Sequence, residues 1–526
     1  MCLSRIIKFR LFLLSGFISC ISFSQNTGNL VGPCNNFVTA DTNIVFTWSP
    51  VQNNSSFDFE LSKDSLFSSS VISSPGLAAT SLIASDLDTG RYYWHVRRSG
   101  GAAGPWTAFF TFKIIALKGS LLQLWWDAGK NITKDVNGFV SAWGDQSGNT
   151  HDGIQSNAIE QPLFKDSMIN NLPVLRFDGN TQSIRAVPFT LNPPATLFMF
   201  YTKKVSGQNE YMFDGNGPDQ FRLSVDGGNH YLLYAGNFCD GGDAGPNGYK
   251  IFSLRQKGAG SFIRSNFVKT GTGNPGASPI GGFSLGSYGS IGINPVVHAE
   301  MDVAEVLIYN DTLSISSTID IENYLRFKYA PPVTLGKDIV STSSFCPVVL
   351  SPQIDYTTYL WNTGAVTRNI SVNSNGKYWV NVTDSSGFSS SDTINVFFPS
   401  IPAIQDSITF CAGDSLIWDT GYGSSLFTFD WQDNSTDSLF IIKQSGTYFV
   451  TLTDTGGCFM RSDTITSFSD NYSSTVSLGN DTSLCAGNAI SLAQGATNTV
   501  SYLWNDNSTN ASLSINLGGT YWVTTQ

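Results

Sequence analysis

Apolar residues in this chain seldom follow the three-and-four spacing of a helix. They alternate with polar ones in short runs, each closed after a few residues by glycine, asparagine, aspartate or proline. Ile44-Val45-Phe46-Thr47-Trp48-Ser49-Pro50, Phe57-Asp58-Phe59-Glu60-Leu61 and Arg91-Tyr92-Tyr93-Trp94-His95-Val96-Arg97 read as strands with one face inward, which places Trp48 and Trp94 in a core. One stretch departs from this pattern. Between Ser314 and Tyr329, Ile321, Tyr324, Leu325 and Lys328 align on one face of a helix with Ser314 as its N-cap.

Beyond Leu335 the pattern repeats. Tyr359-Leu360-Trp361, Phe429-Asp430-Trp431 and Tyr502-Leu503-Trp504 are each followed, fifteen residues after the tryptophan, by the glycine of Gly376-Lys377-Tyr378-Trp379-Val380, Gly446-Thr447-Tyr448-Phe449-Val450 and Gly519-Thr520-Tyr521-Trp522-Val523. A period near seventy residues predicts an array of small sandwiches, with each tryptophan a core pin rather than a rung of a binding ladder. In the first copy Ile370-Ser371-Val372 and Tyr378 to Val382 flank Asn373-Ser374-Asn375-Gly376, which predicts a hairpin; the same succession recurs at Leu439 to Ile442 and Leu513 to Ile515. The third copy is expected to be incomplete, because Val523-Thr524-Thr525-Gln526 halts in mid-strand.

Composition fits several β-rich extracellular domains: 526 residues, 13% charged, 13% aromatic and fifty glycines. A net charge of −11 without any acidic block argues against nucleic-acid or anionic-membrane partners. Arg5, Lys8 and Arg10 precede the short apolar run Leu11 to Ile18, and Ser22-Phe23-Ser24 precedes Gln25, so residues 1–24 are expected to be a signal peptide cleaved after Ser24. Cys20 sits in a poor lipoprotein box, and no later segment is apolar for long enough to span a membrane. A secreted or cell-surface location follows. Six cysteines would remain; Cys411 and Cys458, near the two ends of the second repeat, are the expected disulfide. Phe388 holds the Cys458 position in the first repeat, so Cys346 is expected unpaired, and Cys485 of the third repeat is expected to find its partner just beyond the end of the chain. No Cys-x-x-Cys or His-Glu-x-x-His occurs, and His95, His151, His230 and His298 lack metal-like spacing.

The segment 30–114 resembles a fibronectin type III domain, through its Thr47-Trp48-Ser49-Pro50 strand, its Phe59-Glu60-Leu61 strand followed by Asp64 and Phe67, and its Tyr92-Tyr93-Trp94-His95-Val96-Arg97 strand before Trp106. The segment 117–332 resembles a laminin G, concanavalin A-like jelly roll. Leu124-Trp125-Trp126-Asp127-Ala128, Trp143-Gly144-Asp145-Gln146-Ser147-Gly148-Asn149, Leu175-Arg176-Phe177-Asp178-Gly179 and Val303-Ala304-Glu305-Val306-Leu307-Ile308-Tyr309-Asn310 carry that likeness in order. The repeats, 333–398, 399–470 and 475–526, resemble the Ig-like or PKD-like modules of surface proteins of gliding bacteria, which implies cargo of type IX secretion; Leu335-Gly336-Lys337-Asp338 and Leu478-Gly479-Asn480-Asp481 fit, whereas Ile404-Gln405-Asp406 departs. The fold class expected is therefore all-β, a multidomain array of β-sandwiches.

Glu300-Met301-Asp302-Val303-Ala304-Glu305 resembles the Glu-x-Asp-x-x-Glu of laminarinase-type glycoside hydrolases, where nucleophile, helper and acid/base project into a sugar groove. Glu300 and Asp302 share a strand face, but Glu305 joins them only across a bulge. Asp302 to Asn310 also matches the closing strand of laminin G-like domains, a resemblance that implies a structural Glu305. Gly282-Phe283-Ser284-Leu285-Gly286 spells a nucleophile elbow in a glycine-rich β region, without the helix that such an elbow needs. Asp214-Gly215-Asn216-Gly217-Pro218-Asp219 and Asp240-Gly241-Gly242-Asp243 are loops of a kind that binds calcium, and also of a kind that turns favour on their own; no other cofactor is expected. Asp64-Ser65-Leu66, Asp414-Ser415-Leu416 and Asp437-Ser438-Leu439 resemble an O-glycosylation signal of some gliding bacteria, but strand-entry chemistry is the reading preferred for them. The expectation is a non-enzymatic secreted or surface protein that binds an extracellular glycan or protein through the jelly roll, with the repeats as spacer. The alternatives are a glycoside hydrolase using Glu300, Asp302 and Glu305 or a further domain, and a purely structural stalk. The sequence alone identifies no ligand-binding or catalytic residue.

Overall fold

The structure is a computed structural model that describes residues 29–50, 56–99, 103–117, 119–186, 189–203, 209–215, 221–288, 298–341, 345–399, 407–411, 415–424, 426–470, 477–493 and 501–525. The export signal, Cys20 and the cleavage position lie outside them. Among the described residues no helix is long and apolar enough to cross a membrane. The architecture is all-β and multidomain. The chain forms two compact units, one running to Ser341 and including Pro347–Phe398, the other made of Thr342–Cys346 with Pro399–Gln526.

The first unit begins with a sandwich of two sheets. One orders Leu30–Gly32, Ile44–Trp48 and Ser81–Ala84; the other orders Phe37–Thr39, Phe110–Ile114, Gly90–Arg98, Phe57–Ser62 and Ser70–Leu77. Alternation sends Phe46, Trp48, Phe59, Trp94 and Phe112 inward, and all five are essentially fully buried. Phe46 meets Phe59 and Trp94 edge-on at 5.0 and 5.2 Å, the geometry that ring quadrupoles favour.

The jelly roll follows, with two large sheets face to face. The nine-stranded sheet runs Ile132–Lys134, Val140–Trp143, Gly153–Ile154, Ile184–Ala186, Ser284–Leu285, Glu210–Asp214, Arg222–Val225, His230–Tyr234 and Phe238–Asp243. The eight-stranded sheet runs Leu163–Ile169, Leu172–Asp178, Glu300–Tyr309, Ala195–Lys203, Gly248–Gln256, Ser261–Ser265 and Val268–Gly273, and Leu122–Asp127 pairs beside the second half of Glu300–Tyr309. Trp126, Trp143, Phe177, Met199, Leu223, Leu233, Phe252 and Val306 fill the space between them. The glycine of the Arg176-Phe177-Asp178-Gly179 motif is required twice over: its φ is +71°, and a Cβ there would lie 2.9 Å from that of Glu300.

The expected helix forms at Ile315–Tyr329, and the Ser314 hydroxyl accepts from the Ser317 backbone N–H at 3.0 Å. It covers the outer side of the eight-stranded sheet, where Leu325 and Tyr329 pack on Phe198, Phe200, Ala304 and Leu307. Each fully buried side chain of this kind contributes about 1.5–3 kcal/mol. Its polar residues tie in neighbouring elements. Arg264 donates two bonds to buried Glu322 at 2.8 and 2.9 Å, Lys113 of the first sandwich pairs with Asp320, and Arg326 pairs with Asp384 of the first repeat.

Each complete repeat has a four-stranded and a two-stranded sheet. The predicted hairpins are not hairpins. Ile370–Val372 pairs with Val348–Leu350, whereas Gly376–Thr383 pairs with Thr358–Trp361 and Ser389–Phe397; the glycine turn thus carries the chain from one sheet to the other. The second repeat crosses identically, with Leu439–Ile442 on Leu416–Asp419 and Gly446–Asp454 in the larger sheet. The tyrosine of Gly-x-Tyr holds the crossing. Tyr378, Tyr448 and Tyr521 each donate to the carbonyl four residues upstream, Ser374, Gln444 and Leu517, at 3.0, 2.9 and 3.1 Å. A Cβ on Gly376, Gly446 or Gly519 would touch the tyrosine ring at 3.4–3.6 Å. This is a tyrosine corner, and the first sandwich has a fourth one, Tyr92 to the Asp88 carbonyl at 2.8 Å.

Trp361, Trp431 and Trp504 are buried to 1% exposure, and each indole N–H donates to the carbonyl six residues on, at 2.9, 2.7 and 2.8 Å. They are core pins, as expected. The disulfide differs from expectation: Cys458 bonds to Cys346, not to Cys411, and Cys346 is not free. The reason is local packing. Phe345 stacks on Phe459 at 4.7 Å and its N–H donates to the Asp454 carboxylate, which brings Cys346 against the turn that carries Cys458. Cys411 instead ends the strand Ser407–Cys411, paired in parallel along Met460–Asp470. Cys34, Cys239 and Cys485 are free thiols.

Candidate functional site

The carboxylate string lies on the jelly roll's closing strand, and the bulge it needs is present. Phe200 pairs with Glu305 and Tyr201 with Val303, so Ala304 is the extra residue. Met301, Val303, Val306 and Ile308 then line the inter-sheet core, which leaves Glu300, Asp302 and Glu305 on the opposite, outer face. There the helix covers Glu305. Glu305 is fully buried and accepts four hydrogen bonds: from Trp125 Nε1 at 2.7 Å, Tyr324 at 3.0 Å, Tyr329 at 2.8 Å and Lys328 Nζ at 2.7 Å. Lys328 also reaches Asp127 at 2.8 Å. Burial disfavours the Lys328 ammonium, but the Glu305 and Asp127 carboxylates outweigh it and hold its pKa above the usual lysine value. Burial, reinforced by Glu305, pushes the Tyr324 and Tyr329 hydroxyls far up. Asp302 is committed as well, receiving Arg176 through two bonds at 2.7 and 2.8 Å.

The other sequence candidates separate. Ser284 of the elbow-like pentapeptide sits in a two-residue strand between Ile184–Ala186 and Glu210–Asp214, and among the described residues no helix directly follows it. Asp240 and Asp243 lie on the strand Phe238–Asp243 rather than in a loop, and 216–219 fall outside the described residues. Among the described residues no three His, Cys, Asp or Glu side chains cluster in a way that could hold a metal. Asp64 binds the Leu66 and Ser68 backbone N–H groups, which is turn chemistry. His95 is stacked between Phe67 and Trp106 at 3.7 and 4.0 Å.

A different constellation lies on the outer face of the nine-stranded sheet. Leu223, Val225 and Leu233 point into the core, so Arg222, Ser224 and Tyr234 point away from it. The Arg222 guanidinium lies 4.3 Å from the Tyr234 ring, 5.2 Å from Phe238, 5.4 Å from Tyr288 and 5.8 Å from Tyr211. Tyr211 and Tyr288 are 4.7 Å apart, Tyr234 and Phe238 4.9 Å, and Phe238 is 65% exposed. Along the same row the register sets Arg185 beside Ser284, and Ser284 beside Asp214. The buried Nε atoms of Arg222 and Arg185 and the buried hydroxyl of Ser284 have no hydrogen-bond partner among the described residues. Buried donors are normally satisfied, so this row offers aromatic faces for stacking beside unmet hydrogen-bonding capacity. No local pattern announces it, since its members span Arg185 to Tyr288 and only strand order unites them.

No family model matches the chain, and no curated protein matches it. Among solved structures it is similar to a Trypanosoma rangeli sialidase in complex with sialic acid, at 14% identity over 45% of this chain and 43% of that one, with a TM-score of 0.29. Domain 4 of a GH43 extracellular arabinanase from Geobacillus stearothermophilus, in complex with arabinotriose, matches at 15% identity over 38% of this chain and 98% of that one, with a TM-score of 0.29. The botulinum neurotoxin serotype C1 binding domain matches at 9% identity over 66% of this chain and 93% of that one, with a TM-score of 0.28. The match spans less than half the length of the sialidase, and likeness at this level carries no argument about activity.

Proposed function

We propose that the chain is a non-enzymatic extracellular binding protein whose jelly roll takes a glycan on the outer face of the nine-stranded sheet, with the repeats as spacer. The observation that carries this reading is the Arg222 guanidinium set among Tyr211, Tyr234, Phe238 and Tyr288. Sugar rings stack on aromatic faces through their C–H edges while their hydroxyls accept from guanidinium and hydroxyl donors, and both kinds of group stand here together. The commitment of Glu305 and Asp302 to the helix and to Arg176 weighs against hydrolysis through the Glu300 string. The disulfide suits an oxidising, extracellular setting. The repeat motifs support export as surface cargo of a gliding bacterium.

Glycan-array binding of the full chain, beside reducing-sugar release on β-glucans, tests the reading. Binding should fall at least ~10-fold in Tyr234→Ala and Arg222→Ala, in line with about 1–3 kcal/mol per lost stacking or charged contact. Hydrolysis by the wild-type chain that disappears in Glu300→Gln would replace this reading with an enzymatic one.

A further inference from the structure

Two lysines are buried at one end of the jelly-roll core, away from the face described above. Lys203 closes the strand Ala195–Lys203 at 2% exposure, on the side of Leu197, Met199 and Tyr201, which line the space between the sheets. Lys250, at 6% exposure, donates to the Ala244 carbonyl. Burial lowers the Lys203 pKa against the pull of Glu210 and Asp243, and it brings Lys250 down to about 8 with help from the Lys203 charge. An ammonium is an expensive group to bury without a close ion pair, and Lys203 Nζ lies 3.0 Å from a neutral partner, Asn229 Oδ1.

Asn229 is held firmly for such an encounter. Its Nδ2 donates to the Gly245 carbonyl at 2.9 Å and to Asp243 Oδ1 at 3.2 Å. Its backbone is bound on both sides, to the Asp226 carbonyl at 2.9 Å and from the Ala244 N–H at 2.8 Å. Glu210 is 5% exposed, opposes Val225 in the register and is the carboxylate with the larger pull on Lys203. An amine and a carboxamide thus meet in a buried setting, with the carboxylate of Glu210 near enough to act on the amine's charge.

We infer that Lys203 and Asn229 join in an intramolecular amide bond, with Glu210 as the proton carrier. Glu210 takes a proton from the Lys203 ammonium, and the freed amine attacks Asn229 Cγ. The Nζ–Cγ bond forms and the Cγ–Nδ2 bond breaks. Glu210 returns that proton to Nδ2, which leaves as ammonia from between the Gly245 carbonyl and Asp243. Glu210 then takes the second proton from Nζ, so that the product is a neutral amide and Glu210 ends protonated. No electrons are exchanged and no co-reactant is needed. Holding the two groups in contact supplies the effective concentration that free amine and amide lack. The bond would tie the end of a strand in the eight-stranded sheet to the turn between Arg222–Val225 and His230–Tyr234 in the nine-stranded sheet, closing the sandwich covalently.

Tandem mass spectrometry of tryptic peptides from the purified full chain decides the matter. The expected product is a branched peptide joining the segments around Lys203 and Asn229, lighter than their sum by one ammonia and uncut after Lys203. Branch-point fragment ions are the readout, because cyclised Gln25 or a succinimide also loses ammonia. In Glu210→Gln the branched peptide should form at least ~100-fold more slowly, and in Lys203→Arg, which keeps the charge, it should be absent. Wild-type digests containing only linear peptides cleaved after Lys203 would overturn the bond, and wild-type yield in Glu210→Gln would overturn the role of Glu210.

Discussion

The first two repeats place the same turn in the same position and fasten it by different chemistry. Thr383-Asp384-Ser385-Ser386-Gly387-Phe388 and Thr453-Asp454-Thr455-Gly456-Gly457-Cys458 both fold around the aspartate. Asp384 Oδ1 accepts from the Ser386 and Phe388 N–H groups at 2.9 and 3.0 Å, and Asp454 Oδ1 accepts from Cys458 and Phe459 at 2.7 and 2.8 Å. Beyond that they diverge. The first turn packs on the jelly roll, where the Arg326 guanidinium lies 3.9 Å from the Phe388 ring and pairs with Asp384, and Asn266 donates to the Ser386 carbonyl. The second takes Cys346 covalently and stacks Phe459 on Phe345. A single residue at the end of the turn, Phe388 or Cys458, selects between burial with an ion pair and a covalent staple. The turn is a general docking element, and the repeat supplies its frame.

The largest expected effect breaks the covalent side. Cys346 and Cys458 are 112 residues apart, and closing a loop of that order contributes about 4.7 kcal/mol on the chain-entropy estimate. Cys346→Ser should lower the stability of the second repeat by an amount approaching this, read as a separate early transition in urea denaturation, while Cys411→Ser should change it little. An equal loss from Cys411→Ser would restore the pairing expected from sequence.

The non-covalent side should break by a somewhat smaller amount. Arg326 is 4% exposed and Asp384 is 7% exposed; burial pushes the Asp384 carboxyl up, against the guanidinium that pulls it down. Removing the cation alone leaves a buried carboxylate uncompensated, at a cost of about 3–5 kcal/mol. Arg326→Leu should therefore release the first repeat from the helix, measured as faster amide exchange in Thr383 to Phe388. Arg326→Leu combined with Asp384→Asn should recover part of the loss, which a purely steric role for Arg326 would not allow.

Local pattern revealed the strands, the helix with its Ser314 cap and the buried tryptophans, because each depends on neighbours within a few residues. It failed where two distant elements decide. Asn375-Gly376 reads as a hairpin turn, yet the chain changes sheets there; Tyr378, reaching back to Ser374, was the sign that distinguishes the two. The Ala304 bulge was foreseeable as a requirement for Glu305, whereas its cover, Lys328 and Tyr329, lies on a helix some twenty residues further on. The Arg222 face and the contact between Lys203 and Asn229 depend wholly on strand order.

The smallest effect separates the two repeats by pH. Asp392 and Asp463 face Val380 and Val450 at matching register positions. Asp463 has Arg461 at 2.6 Å, whereas Asp392 is buried and accepts the Leu335 backbone N–H at 2.7 Å. Burial, with Asp338 adding to it, brings the Asp392 pKa up to about 7, against the backbone donors. The folded form then keeps its proton where the unfolded chain has already lost it, so stability is full below the ordinary value of 3.8 and falls as the pH rises through about 7. Asn at this position keeps the acceptor for Leu335 and removes the titration. Asp392→Asn should leave stability unchanged at pH 3.5 and raise it on the order of 2 kcal/mol at pH 8. Asp463→Asn should show no such gain, since it gives up a partner. A parallel response of the two variants across that range would mean that Arg461 makes no difference between the repeats.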